Sequence, residues 1–83
     1  MRYTVVWIPS AEARLADLWL RAVDRQAVTD SSNRIDCELA ENAHTKGVTW
    51  GPFRAYFDDP LAVLFIVDPG DCMVEVVQVR RTT

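Results

Sequence analysis

The last third of the chain places the strongest limit on its fold. Three short apolar segments follow one another there, at residues 53–57, 61–67 and 73–79. The middle segment is apolar at every position, which is typical of a strand buried on both faces of a sheet. Between the second and third segments, Pro69 and Gly70 suit the two central positions of a type II turn. Such short connections predict neighbouring strands of one sheet.

The first half of the chain predicts one strand and two helices. Apolar side chains alternate along residues 3–7, as expected for a strand with a mainly aromatic inner face. Ser10 is a favourable N-cap for a first helix, and Asp24 is one for a second helix over residues 25–41. The apolar stripes at helical spacing are Ala11, Leu15, Leu18, Trp19 and Ala22 in the first helix and Val28, Ile35 and Leu39 in the second.

The order β-α-α-β-β-β predicts a single two-layer α+β domain over residues 1–83. We expect an αα-hairpin to pack on one face of a four-stranded, mostly antiparallel sheet, with Tyr3, Val5 and Trp7 pointing toward the helices. The other face of the sheet would stay partly open, and we expect a ligand or partner to bind there. Residues 42–52 form a long irregular segment, and loops of that length often carry function.

Charge and cysteine content narrow the classes of function. The net charge of the 83 residues is −3, whereas proteins that bind nucleic acid mainly through phosphates carry a positive excess. Cys37 and Cys72 lack the spacing of a zinc site, and we predict neither a disulfide between them nor any metal or cofactor. The apolar start ends at Pro9 and is too short for an export signal, and residues 61–67 are too few to span a bilayer. We therefore predict a cytoplasmic protein that does not associate with membranes.

Several of these segments resemble the toxins of the RelE/ParE superfamily, and the likeness covers nearly the whole chain. The opening strand, followed by Pro9-Ser10-Ala11 and Leu18-Trp19, is similar to the start of such toxins. Arg54, the segment 60–65 and the segment 74–79 are similar to their closing strands. No single segment is a catalytic signature, so the resemblance depends on the combination.

The resemblance implies a toxin of a type II toxin–antitoxin pair, which a cognate antitoxin neutralises by covering its open surface. RelE-like members cut mRNA on the ribosome without a metal, whereas ParE-like members bind DNA gyrase. The implied partners are therefore the antitoxin and either gyrase or the ribosome with its mRNA. The resemblance leaves open a homo-oligomer or a toxin–antitoxin hetero-oligomer.

The RelE-like alternative needs cations around a phosphate together with a proton donor and acceptor. Its candidate catalytic residues here are Lys46, Arg54, Arg80 and Arg81. The chain departs from the RelE-like pattern, because it has no neighbouring lysine pair and no Tyr or His after the last strand. For His44, a role at the end of the second helix is favoured over a catalytic one. The acid–base set is thus incomplete, and a toxin that acts by binding is the favoured interpretation.

The candidate partner-binding residues are Trp50, Arg54, Tyr56, Arg80 and Arg81. If Phe53 and Ala55 pack inward, Arg54 and Tyr56 face the open side of the sheet. Each residue also has a structural interpretation: Trp50 anchoring its loop to the core, Tyr56 packing within the sheet, and Arg54 paired with Asp58 or Glu75.

Regular alternation in the last strand predicts Val74 and Val76 on one face and Val77 and Val79 on the other. Only one of Arg80 and Arg81 can then share a face with Arg54. A third interpretation of the whole chain is a catalytically inactive, toxin-like scaffold.

Overall fold

The computed structural model describes residues 2–82. Within that range, five strands form one sheet, and two helices form a layer on one face of it. The strands are β1 (Thr4–Trp7), β2 (Val48–Trp50), β3 (Phe53–Asp58), β4 (Leu61–Asp68) and β5 (Met73–Arg81), and the helices are α1 (Pro9–Arg21) and α2 (Arg25–Asn42). The predicted two-layer α+β architecture is confirmed.

The strands lie in the order β1-β5-β4-β3-β2. β1 pairs with β5 in parallel, and the other neighbours are antiparallel. The sheet has five strands where four were predicted, because Val48–Trp50 forms β2 within the segment 42–52 that was expected to be irregular. Val, Thr and Trp are strand-favouring residues, but three positions are too few to show an alternation.

Two glycines make β2 possible. Gly51 has a φ of 60° and starts the two-residue connection to β3, where hairpins of this length favour a glycine with positive φ. Gly47, just before β2, has a φ of 72°, and a Cβ placed on it would lie 2.1 Å from the carbonyl oxygen of Ala55. The chain therefore passes too close to β3 at this point for any side chain.

The two helices begin with different signals. α1 starts at Pro9, whose fixed φ suits the first turn of a helix, and its N-cap residue Ile8 makes no side-chain cap bond. The prediction that Ser10 caps α1 is therefore wrong. Asp24 does cap α2, because its Oδ1 accepts a hydrogen bond of 3.1 Å from the backbone N–H of Ala27.

The core lies between the helices and one face of the sheet. It joins buried side chains of α1 and α2 to alternate residues of β4 and β5, with Val5 and Trp7 of β1 packed against them. Besides Tyr3, its buried members include Leu18, Val28, Ile35, Leu39, Leu61, Val63, Phe65, Val74, Val76 and Val79. The prediction that Tyr3, Val5 and Trp7 form the inner face of the first strand is confirmed.

The connection between β4 and β5 differs from the predicted type II turn. That turn needs a positive φ at Gly70, but in this loop the residue with positive φ is Cys72, at 51°. The N–H of Asp71 donates to Oδ1 of Asp68 over 3.2 Å. The reversal thus takes four residues, Pro69 to Cys72, because the aspartate side chain substitutes for a backbone turn bond.

A β-bulge interrupts β5. Phe65 pairs with Val76 and Leu64 pairs with Gln78, so Val77 has no partner on β4. The extra residue shifts the alternation, and Val79 therefore lies on the same face as Val74 and Val76. The predicted separation of Val79 from those two valines is wrong for this reason.

Candidate functional site

The face of the sheet opposite the helices is called the open face below. The β3 residues that lie on it differ from those predicted. Cross-strand partners share a face. Arg54 pairs with Phe65 and Tyr56 pairs with Val63, and both partners are buried under the helices. Arg54 and Tyr56 therefore lie on the helix side, and the prediction that they face the open side is wrong. Phe57, with Phe53 and Ala55, faces the open side instead.

Arg54 is tied to the backbone ahead of β2. Its Nε donates to the carbonyl oxygen of Lys46 over 2.8 Å, and its Nη2 lies 3.4 Å from that of Gly47. Neither Asp58 nor Glu75 is its partner, because Asp58 accepts hydrogen bonds from Arg34 instead. Arg54 thus holds the segment that leads into β2 in place.

Lys46 is engaged on the helix side as well. Its Nζ lies 3.0 Å from Oε2 of Glu38 on α2. The hydrogen bond from Lys46 to Glu38 and the charge of that carboxylate raise the pKa of Lys46 above its ordinary value. A lysine stabilised in its charged form is a poor proton acceptor at neutral pH.

The two terminal arginines of β5 diverge. Arg80 pairs with Ala62 on the open face, and Arg81 pairs with Leu61 on the helix side. Arg81 therefore shares a face with Arg54, and Arg80 does not. This agrees with the prediction that only one of the two arginines shares a face with Arg54. Of the four cations considered for catalysis, the described chain places Arg80 on the open face and the other three on the opposite side.

The open face carries an apolar groove over β2, β3, β4 and β5. Its volume is about 380 Å³. Several apolar side chains at this groove are well exposed to solvent, with Trp50 at 63%, Val48 at 61% and Phe57 at 59%. The other principal lining residues are Ala55, Ala62, Leu64, Gln78 and Arg80. Trp50 points into solvent, so the alternative that it anchors a loop to the core is wrong.

Tyr56 packs against the core from the helix side of β3. This position matches its structural interpretation, since the tyrosine ring contacts buried apolar side chains. Sequence reasoning missed Val48, Phe57 and Leu64 as groove residues. The signal that could have found this apolar surface is β4, which is apolar at every position from Leu61 to Val67, because an antiparallel sheet with one solvated face usually alternates apolar with polar residues.

The groove is suited to binding rather than to proton transfer. Arg80 supplies its one charged group among residues 2–82. His44 lies elsewhere, with its ring 6.1 Å from that of Tyr3, which belongs to the core. Within the described residues, no group of three His, Cys, Asp or Glu side chains is arranged to hold a metal ion. An exposed apolar surface of this kind beside a cation is typical of a site that contacts a protein.

Comparison with known proteins gives matches at the level of structure. No protein-family model matches the chain, and no curated protein matches it by sequence. Among solved structures it is similar to the RelBE2 toxin–antitoxin complex of Mycobacterium tuberculosis, with a TM-score of 0.77 and 13% identity over 98% of this chain and 92% of that one. It is also similar to a chromosomal ParDE system of P. aeruginosa, with a TM-score of 0.74 and 13% identity over 99% and 98%.

The chain has the RelE/ParE fold. A third structure, the conserved hypothetical protein HP0892 of Helicobacter pylori, matches with a TM-score of 0.59 and 11% identity over 96% of this chain and 94% of that one. The resemblance predicted from the sequence is therefore confirmed for the RelE/ParE fold as a whole. Among residues 2–82, neither helix of this fold combines the length and apolar character needed to cross a membrane.

Proposed function

We propose that this protein is the toxin of a type II toxin–antitoxin pair and that it acts by binding a cellular target. The observation that carries the proposal is the open-face groove, where Val48, Trp50 and Phe57 stay exposed in a fold shared with chains of toxin–antitoxin complexes. Exposed apolar side chains in a continuous surface favour association with another protein. The partner that fits this proposal is a cognate antitoxin.

Two kinds of target remain within the proposal, gyrase and the ribosome with its mRNA. The groove favours binding over cleavage, because Arg54 and Lys46 are engaged on the helix side and Arg80 faces the groove without an acid–base partner among its lining residues. Ribosome-dependent cleavage of mRNA is the second candidate. It would rest on Arg80, because Lys46, Arg54 and Arg81 lie on the helix side and play no direct part at the groove.

A growth assay tests the proposal. Induced expression of the isolated gene is expected to arrest growth of the host, and the double variant Val48→Ser with Phe57→Ser is expected to relieve the arrest. The matched control is Leu20→Ser with Val23→Ser, which also removes two exposed apolar side chains but from the helical hairpin, where they are 60% and 106% exposed. Circular dichroism of the purified variants establishes that both are folded.

Harmless expression of the folded wild-type protein would overturn the proposal and favour the inactive scaffold. Relief of the arrest by the helical control and not by the groove variant would place the target on the helices, which contradicts the role given to the open face. Primer extension on translated mRNA separates the two modes of action. Cleavage that disappears in Arg80→Gln would replace the binding mechanism by the endoribonuclease.

A further inference from the structure

A second polar site lies where α1 runs beside the end of β5. β1 pairs only with the first half of β5, from Met73 to Val76. Beyond that point the chain leaves the sheet, and α1 packs against β5. Outward-facing residues of α1 thereby come next to the last two arginines of the strand. The residues that line this site are Arg14, Asp17, Leu18, Arg21, Arg80 and Arg81.

The site, called the arginine cluster below, holds four guanidinium groups and one carboxylate. Asp17 accepts a hydrogen bond from Arg14 over 3.3 Å and one from Arg21 over 3.1 Å. Among residues 2–82, no acidic side chain forms an ion pair with Arg80 or Arg81. The lining residues therefore carry three uncompensated positive charges in a chain whose net charge is −3.

We propose that the arginine cluster binds a group of carboxylates on an acidic segment of the protein partner. The inference rests on the proposed function, because the same partner would cover the open face. Arginine is the side chain best suited to carboxylates, since its planar fork donates two parallel hydrogen bonds to one carboxylate. Asp17 shows that a carboxylate fits between Arg14 and Arg21 at hydrogen-bonding distance.

Three features favour an acidic protein segment over a nucleic acid. Arg80 lines both the arginine cluster and the open-face groove, so the two surfaces are continuous and suit an occupant with apolar and anionic side chains side by side. In addition, the residues that line the cluster include no aromatic ring, whereas proteins that bind single-stranded nucleic acid commonly stack bases on such rings. The acidic balance of the chain also opposes the long-range attraction of a phosphate backbone.

The test is an NMR titration of the uniformly ¹⁵N-labelled full chain that follows the arginine side-chain Nε–Hε signals. The probe is a hexaglutamate peptide, and the uncharged control probe is hexaglutamine. We expect hexaglutamate to shift the signals of Arg14, Arg21, Arg80 and Arg81, and hexaglutamine to leave them in place. A six-nucleotide oligouridylate is the competing probe.

Variants locate the binding. The double change Arg14→Gln with Arg21→Gln is expected to weaken hexaglutamate binding about threefold for each arginine removed, about tenfold in total. Asp17→Asn is expected to strengthen binding about threefold, because it removes the internal carboxylate that competes with the probe. The matched control is Arg2→Gln, which removes one positive charge, as each change within the cluster does. Arg2 lies near the start of β5, about 20 Å from the cluster, so the affinity for hexaglutamate should stay unchanged.

The proposal is overturned if hexaglutamate leaves the four signals unmoved, if Arg2→Gln weakens binding as much as a change within the cluster, or if oligouridylate binds the cluster more tightly than hexaglutamate. The last result would assign the site to a nucleic acid. None of these readouts depends on growth arrest. A harmless protein that binds hexaglutamate at the cluster would refute the toxin function alone, and a toxic protein that does not bind it would refute this inference alone.

Discussion

Gly47 offers a direct test of how β2 is held, because a second glycine provides its control. Gly47 and Gly51 flank the same three-residue strand and both have positive φ, at 72° and 60°. A left-handed backbone costs an alanine about 1–2 kcal/mol at either position. The two sites differ in space: a Cβ on Gly47 would lie 2.1 Å from the carbonyl oxygen of Ala55, whereas a Cβ on Gly51 meets nothing within 4 Å.

The difference between the two alanine variants therefore measures the close approach of the strands. Gly51→Ala is expected to lower the free energy of unfolding by about 1–2 kcal/mol. Gly47→Ala carries the same backbone cost plus that of forcing atoms into a closed space, about 1–3 kcal/mol. The total for Gly47→Ala is then about 2–5 kcal/mol. This is a large part of the roughly 4–12 kcal/mol expected for a domain of this size.

Urea unfolding followed by circular dichroism gives both free energies. Tryptophan fluorescence of the native variants adds a local readout, since Trp50 belongs to β2. We expect Gly47→Ala to change the native emission, because the strand must move to admit the methyl group, and Gly51→Ala to leave it nearly unchanged. Equal destabilisation by the two substitutions would refute the reasoning, because it would mean that Gly47 does not lie against β3 as described.

Three further predictions concern single contacts. Asp24→Ala should destabilise the protein by about 1 kcal/mol through loss of the α2 cap, and Ser10→Ala, the control without a cap bond, by less than about 0.5 kcal/mol; equal losses in urea unfolding would contradict this. The ion pair of Lys46 with Glu38 raises the pKa of the lysine above 10.5, so its stabilisation is complete below that pH and is lost as the pH rises through the folded-state pKa. Lys46→Met should therefore lower the free energy of unfolding at about pH 8 and much less at about pH 12. If the difference in that free energy between wild type and variant does not change with pH, the ion pair does not couple stability to the charge of Lys46. Arg54→Met should cost about 2 kcal/mol, because partly buried carbonyl oxygens lose a charged donor; an unchanged unfolding midpoint would show that β2 does not depend on this arginine.

The parts of the fold that follow from local periodicity were predictable. Apolar stripes at spacings of three and four located both helices, and the run of apolar residues at 61–67 located the central strand β4. Asp24 was recognisable as a cap because its side chain acts on the backbone three residues away. β2 was missed, since its three residues gain their strand conformation from pairing with β3 and not from a pattern of their own.

The candidate site was less predictable, and β3 shows why. Its alternation is visible in the sequence, but the expectation that Arg54 and Tyr56 face the open side depended on the condition that Phe53 and Ala55 pack inward. The structure places Tyr56 and Arg54 on the helix side and leaves Phe57 exposed. The assumption that the more apolar face of a strand is the inner one fails when the outer face is itself a binding surface. Only the pairing with β4, which is a long-range contact, decides between the two.

The unpaired Val77 in β5 has a consequence for how the strand tolerates changes of length. Val79 follows Val76 by three positions, an odd step that would reverse the face in a regular strand, and the bulge at Val77 keeps both valines in one inward-facing row. Deleting Val77 would give a regular ladder in which each remaining side chain keeps its present side. Deleting Val79 instead, with the pairing of the first half kept, would place Gln78 or Arg80 opposite the buried Val63. Strand length at a single position, as much as side-chain chemistry, thus selects which of the two adjacent arginines lies on the open face.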